Sequence, residues 1–294
     1  VRFAFTFDIV LDAETFEILE HSYTNSSIIV KDNFVYDTEE QESSKEYIQL
    51  LDIVGRMNKK YNYLENINTS HDLVAYLMVL MNNYSAMKLK DYKCGLFRSF
   101  KLNKQYEAPD MLPKNIQKFL KIWNSNGSRY SKFDSMGSHD MMNLDAYVHI
   151  TSPIRRLPDL LTMMVLQDRM GLCTFTNGAL DFYNYWISDE KIEYINTTMR
   201  SIRKVQNDCE LLNMCINNKE KYIDREYVGF VFDKIKRNDG LFQYMVYISE
   251  LKMVKRFTTR HDIENSTFNT CKLYIFNDEE RFKHKIMVEI IKIQ

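Results

Sequence analysis

Between Tyr147 and Asp159 the chain reads Tyr147-Val148-His149-Ile150-Thr151-Ser152-Pro153-Ile154-Arg155-Arg156-Leu157-Pro158-Asp159. A Thr-Ser-Pro turn ahead of a helix leaves backbone N–H groups pointing one way, and such an end attracts phosphate. Arg155 and Arg156 add planar guanidinium forks that match phosphate oxygens. The chemistry implied is phosphate handling. The competing reading is a capped helix start with its arginines in ordinary ion pairs. In that reading Asp159 caps the helix it precedes, Arg156 is a structural partner, and His149 is a satisfied core histidine on a strand. Asp134, His139 and Asp140 imitate a metal cluster, but no second ligand group has helical spacing, so loop solvation is expected there.

The flanking elements follow from periodicity. Residues 1–37 alternate like a sheet, with Phe3, Phe5 and Phe7 on one face, then Ile28-Ile29-Val30 and Phe34-Val35-Tyr36 in strand-like runs. Ser43 or Ser44 caps a helix whose inner face carries Tyr47, Leu50, Leu51, Val54 and Met57. A second helix begins at Ser70 and runs to about Lys90; Leu73 through Met81 is apolar on every side, which predicts burial. Residues 101–135 are polar and loop-like around a short helix near Asn115–Trp123. A buried helix starts near Leu160. The longest helix follows Ser188, and Ile192, Ile195, Met199, Ile202, Val205, Cys209, Leu212 and Ile216 form a single three-four stripe along it. Lys219–Glu226 is a charged connector. Four strands are expected beyond it, over Tyr227–Lys236, Phe242–Ile248, Cys271–Phe276 and Lys285–Ile293, with a tight turn at Asn238-Asp239-Gly240. Short strands with turns predict a small barrel of the OB type.

Composition narrows the class without naming it. The 294 residues are 45% apolar and 13% aromatic, with 8 glycines and 4 prolines, so a real core is expected and a low-complexity chain is excluded. The net charge of −1 gives no bulk pull on nucleic acid, so any such site must be a local basic channel. Five cysteines without a CxxC pair read as reduced and intracellular, cytoplasmic or nuclear. No apolar run reaches about 18 residues, so no membrane partner is expected. Residue 1 is valine, as in a processed chain or a fragment, and abundant Asn, Lys, Ile and Tyr hint at an AT-rich source such as a protist or a large DNA virus.

The Tyr147–Asp159 string resembles the signature of the ribonuclease II/R family, the RNB catalytic domain, and departs from it mainly at Ile150. Weaker matches follow in the family's order. They are Val1-Arg2-Phe3-Ala4-Phe5-Thr6, Ser26–Val30, Phe34-Val35-Tyr36, the helix Leu73–Asn82, and Arg98-Ser99-Phe100. Val246–Leu251 and Ile275–Lys285 resemble the terminal OB barrel of exosome-type members. The resemblance implies an α/β (α+β) RNB domain, incomplete at its N-terminus, over residues 1–222, and an OB-fold RNA-binding barrel over 223–294.

The same resemblance implies a Mg²⁺-dependent 3′–5′ exoribonuclease acting on single-stranded RNA, in which carboxylates fix the metal that activates water. It places Arg155 near the scissile phosphate, with Ser152 and Arg156 in the same turn, Tyr36 as a base-stacking ring, and Gln206 at an RNA-contacting position. For Tyr36 the alternative is a partly buried sheet tyrosine. Lys252–Arg260 with Phe257 is either an RNA-facing barrel edge or a solvated loop. Three departures count against catalysis. The family's aspartate cluster lies upstream of the Arg2–Thr6 strand, so the metal ligands are expected to be absent from this chain, and Asp8 and Asp12 do not replace them. The family's helix glutamates match Ala75 and Tyr76, and its Arg-x-His histidine matches Phe100. The readings that remain are an exoribonuclease whose aspartates lie upstream, a catalytically inactive RNB relative that binds RNA or acts as a scaffold, and a split enzyme completed or recruited by another protein chain.

Overall fold

The structure is a computed structural model that describes residues 1–223, 225–280 and 283–292. In chain order the elements are β1 (Arg2–Leu11), β2 (Ile18–Ile28), α1 (Glu39–Glu42), α2 (Lys45–Lys60), α3 (Ser70–Asp91), β3 (Leu96–Lys101), α4 (Lys114–Trp123) and β4 (Asn126–Lys132). They continue through α5 (Leu157–Arg169), α6 (Asn177–Trp186), α7 (Asp189–Asn217), α8 (Lys219–Tyr222), β5 (Glu226–Lys236), β6 (Phe242–Ile248), β7 (Met253–Thr259), β8 (Thr267–Asp278) and β9 (Lys283–Lys292). The chain forms two compact units, Val1–Tyr106 with Asn124–Asn196, and Glu107–Trp123 with Thr197–Gln294. Among the described residues no helix is long and apolar enough to cross a membrane.

The first unit is built on α3. Thr69 caps it through a reciprocal box with Asp72, so two orphan N–H donors are satisfied at its start. Leu73, Tyr76 and Leu80 pack against Val54 and Met57 of α2, while Ala86 and Leu89 join Phe97, Val148, Ile150, Val165 and Leu166 in a second core. Ser44 caps α2, accepting from the Tyr47 N–H, but Leu50 turns outward and is 40% exposed. β1 and β2 pair antiparallel in register from Arg2 opposite Ile28. The strand expected at Phe34-Val35-Tyr36 does not form; the pairing ends at Ile28 and the following residues run as irregular chain. β3 and β4 form a second antiparallel pair inside sequence that reads as loop.

The second unit holds one five-stranded antiparallel sheet in the order β7-β6-β5-β8-β9. Its outer strands β7 and β9 approach one another, which is OB-like, although no hydrogen-bonded ladder joins them among the described residues. Tyr244, Val246, Ile248, Cys271 and Leu273 fill the inside with Leu211 and Cys215 of α7. A Cβ on Gly229 would lie 2.5 Å from Val246 Cγ2 and 3.0 Å from Cys271 Sγ, so the strands close on a bare backbone there. The expected turn is present, with Gly240 at φ +79° and the Gly240 N–H donating to Arg237 O. β7 is a true edge strand, whereas its sequence left strand and loop open. Helix α4 belongs to this unit, where Phe119 stacks on Tyr247 at 3.8 Å and 3° and Trp123 Nε1 donates to Asp233 at 2.7 Å. Ile293, at the end of the last expected strand, and the Arg281-Phe282 pair of the barrel resemblance lie outside the described residues.

The long stripe of α7 is only partly a core stripe. Ile192 and Ile195 are buried, but Ile202, Val205 and Ile216 are 50%, 60% and 52% exposed. Its buried contacts in the second unit are Leu211 and Cys215, one position off the predicted row. Periodicity marks which side is apolar, and tertiary contact decides how much of it is covered.

Candidate functional site

Helix α5 starts without a side-chain N-cap: Arg156 holds the cap position and Pro158 lies in the first turn. Asp159 therefore does not cap in the expected sense. It sits inside the first turn, fully buried, and its Oδ1 accepts from the Ser152 N–H at 2.8 Å and from Arg156 Nη2 at 2.8 Å. The Arg155 and Arg156 N–H groups both donate to Ser152 O, at 3.2 and 3.0 Å. The backbone donors expected to face a phosphate at Ser152, Arg155 and Arg156 are thus bonded within the turn, the first by the Asp159 carboxylate and the other two by the Ser152 carbonyl. Arg155 remains exposed, its Nη2 3.3 Å from Ser152 Oγ.

Burial raises the Asp159 carboxyl above its ordinary range, opposed by Arg156 and by the Ser152 N–H. Asp159 Oδ2, Arg156 Nε and Thr151 Oγ1 are buried polar atoms without hydrogen-bond partners among the described residues. Three such atoms at one turn leave capacity for a small polar guest.

The turn is positioned from two sides. Asn82, 1% exposed on α3, accepts from the Ile150 N–H at 3.0 Å and donates to Tyr147 Oη at 2.9 Å. Tyr130 of β4 lies with its hydroxyl 2.7 Å from His149 Nδ1, and Asn196 bonds both the N–H and the C=O of Tyr130. His149 is satisfied as expected, but it lies just past the isolated Phe97–Val148 bridge and not in a strand. The Arg98 guanidinium stands over the Tyr130 ring at 4.9 Å. Asn82 carries a legible signal, the first of two adjacent amides that close the apolar run of α3. Asn196 carries none, since it sits in a polar helix turn.

Tyr36 is 46% exposed and stacks on His71 at 4.1 Å and 19°. Its strand reading fails, yet the outcome is an accessible ring on a firm base: Asp37 accepts from Ser70 Oγ at 2.7 Å and faces His71. Gln206 is exposed on α7 in the second unit, and Ser152, Arg155 and Arg156 share one turn of the first.

The residues present do not fit a Mg²⁺ site. Among the described residues no group of three or more His, Cys, Asp or Glu could hold a metal. Asp12 is bound to the Thr15 and Glu14 N–H groups, and Asp140 to the Leu102 N–H and Ser138 Oγ. Tyr76 is fully buried and Phe100 is 5% exposed, so rings fill the positions where carboxylate and imidazole were looked for. His139 is buried beside Phe100, and burial followed by the Arg98 charge lowers its pKa.

Residues 40–170 match the RNB domain. The match covers less than half of the chain, and over that segment the chain resembles the RNB family. It is similar to Mycoplasma genitalium RNase R, solved in complex with double-stranded RNA, at 15% identity and a TM-score of 0.60, over 98% of this chain and 60% of that one. It is also similar to yeast Ssd1, a pseudonuclease, at 14% identity and a TM-score of 0.58, over 86% of this chain and 38% of that one. At these identities the likeness is one of fold. The chain spans 60% and 38% of the lengths of these two structures. No curated protein matches the sequence. RNB nucleases typically use a divalent metal, and the RNB segment here offers no site for one among the described residues.

Proposed function

We propose that this chain is an RNB-type protein that binds single-stranded RNA and does not hydrolyse it by itself, with an RNB part over residues 1–222 and an RNA-binding barrel over 223–294. The observation that carries the reading is the exposed Arg155 guanidinium on an RNB signature turn whose acidic companion is already committed to Arg156. Within the first unit Arg155 and Ser152 meet a phosphate, Arg156 holds the turn through Asp159 and Tyr36 offers a ring to a base; Gln206, exposed on α7, is an RNA-contacting amide of the second unit. The RNA bound to the similar RNase R supports RNA as the ligand class, and the pseudonuclease character of the similar Ssd1 supports binding without hydrolysis.

The test is a titration of a fluorescent single-stranded oligonucleotide, with denaturing gels run in Mg²⁺ or Mn²⁺. Weak, salt-sensitive binding is expected, because each phosphate contact releases counterions. Tyr36→Ala should remove roughly 1–3 kcal/mol per stacked base. Absence of binding at low salt, or mononucleotide release abolished by Arg155→Ala, overturns the proposal.

A further inference from the structure

The second unit carries a basic groove in which Arg203 and Lys204 of α7 and Arg256 of β7 are exposed, and it belongs with the RNA-binding barrel already proposed. The first unit carries a surface of another kind. Helix α6 has five large apolar side chains in ten residues, and none of them is fully buried. Tyr183 packs against the core, but Phe182, Tyr185 and, on the first turns of α7, Tyr194 stand exposed, the two tyrosines by more than half. Phe182, Tyr185 and Trp186 are three and four positions apart, so they share one helical face. Trp186 joins the four rings, its centroid 6.4 Å from Phe182, 5.3 Å from Tyr185 and 6.4 Å from Tyr194. Aromatic side chains gathered on a surface in this way mark a place where a partner is bound.

The charges around the rings say what that partner carries. The face of an aromatic ring is negative and attracts a cation. The surface already holds one of its own: Lys191 Nζ lies over the Tyr185 ring, 4.9 Å from its centroid, and 3.1 Å from Glu190 Oε1. Hydrogen bonding to Tyr185, then to Glu190, holds this ammonium above its ordinary pKa. The neighbouring cations of β4 are also taken, Lys132 by Asp189 at 2.7 Å and Arg129 by Glu193 at 3.3 Å. Asp181 is exposed one turn before Tyr185 and has no ion-pair partner among the described residues. Stacking of RNA bases needs free cations for the phosphates that travel with them. Here the unpaired charge is a carboxylate, which repels phosphate and attracts a cation.

We propose that the surface of Phe182, Tyr185, Trp186 and Tyr194 is a protein-docking site for an arginine-rich segment of a partner protein, with guanidinium groups laid on the rings and one of them facing Asp181. Arginine is preferred to lysine because its planar, weakly hydrated head stacks on a ring while its donors reach a carboxylate beside it. The site uses no residue assigned to RNA and stands whether or not the RNA reading holds.

The experiment uses the full chain, a fluorescein-labelled Gly-Ser peptide bearing arginines, a matched peptide with citrulline at those positions, and oligo(U), with anisotropy as the readout. Citrulline has the shape of arginine without its charge, so the arginine peptide should bind at least about tenfold more tightly. Tyr185→Leu/Tyr194→Leu keeps an apolar surface and removes two ring faces. It should weaken the arginine peptide at least about fivefold and leave oligo(U) binding unchanged. Tyr185→Phe/Tyr194→Phe keeps the ring faces and should stay within about twofold of the parent. Asp181→Asn should weaken the peptide about two- to fivefold at low salt and have no effect at high salt. Melting curves check that each variant folds; if the leucine variant does not, Asp181→Asn decides. Equal binding of the two peptides, full binding by the leucine variant, no loss in Asp181→Asn, or no binding of the arginine peptide by the parent overturns the proposal. Competition by oligo(U) that the leucine variant abolishes overturns it in favour of a nucleic-acid platform. Self-association in the ultracentrifuge that the leucine variant abolishes overturns it in favour of a second copy of this chain.

Discussion

The signature turn of the first unit and the basic groove of the second treat their charges in opposite ways. In the turn, Asp159 gathers the Ser152 N–H and the Arg156 guanidinium, and Ser152 O gathers two further N–H groups, so only Arg155 faces outward. In the second unit, Arg203 and Lys204 of α7 and Arg256 of β7 stand in solvent without acidic partners among the described residues. The motif-like residues hold the fold, and the surface with unused charge lies outside the signature, in part on the Lys252–Arg260 run. A recognisable string thus reports ancestry and local geometry more directly than it reports where an anion binds.

That contrast can be broken or sharpened by mutation. The largest effect should come from Asp159→Ala, which strands the half-buried Arg156 and the Ser152 N–H; about 3–5 kcal/mol of stability should be lost in urea unfolding. Asp159→Asn, which keeps an acceptor, should cost less. A loss below about 1 kcal/mol for the alanine variant would show that the Asp159 carboxylate does not hold the turn together.

Gly229→Ala tests the barrel without touching its charge. The new methyl would press on Val246 and Cys271, and about 1–3 kcal/mol should be lost. RNA affinity measured well below the melting transition should be kept if the groove acts through charge alone.

Tyr36→Ala should change stability by less than about 0.5 kcal/mol, as for an exposed surface site, while weakening RNA binding. A large stability loss with no binding change would return Tyr36 to a packing role.

The smallest effect concerns pH. Burial lowers the folded-state pKa of His139 below its unfolded value. The neutral ring is therefore favoured by folding, and its contribution is fully present above the ordinary histidine pKa of about 6.5 and lost as pH falls below it. His139→Gln should flatten urea stability just below pH 6.5. An unchanged slope there would assign the acid sensitivity to carboxylates.

Much of this was legible beforehand. The apolar run Leu73–Met81 announces a central helix because no face of it suits water, and Asn238-Asp239-Gly240 announces its turn because Gly240 takes a positive φ. Strand β4, Asn126-Gly-Ser-Arg-Tyr-Ser-Lys132, was not legible: its alternation is invisible in polar residues, and it exists because Tyr130 and Ser131 are buried against distant chain. The same limit applies to the site. Arg155 and Tyr36 could be named from sequence, but the bond from the Ser152 N–H to Asp159 depends on how the turn folds locally, and the meeting of α7, β7 and β9 around one set of cations depends on contacts remote in sequence.

The stack of Phe119 on Tyr247 has a consequence for the order of synthesis. Helix α4 leaves the ribosome 124 residues before Tyr247, the ring that covers it. At about 5–20 residues per second this is a delay of roughly 6–25 s. Until Phe232 and Tyr247 have both emerged, Phe119 and Trp123 lack part of their aromatic packing on a nascent chain whose first unit is still being interrupted by them. The chain passes between its units at 106/107, 123/124 and 196/197, so no single cut separates them; the first unit is complete in sequence at Asn196, the second only when its last strands arrive. Holdase binding to stalled nascent chains should therefore peak in lengths that expose α4 and end before β6.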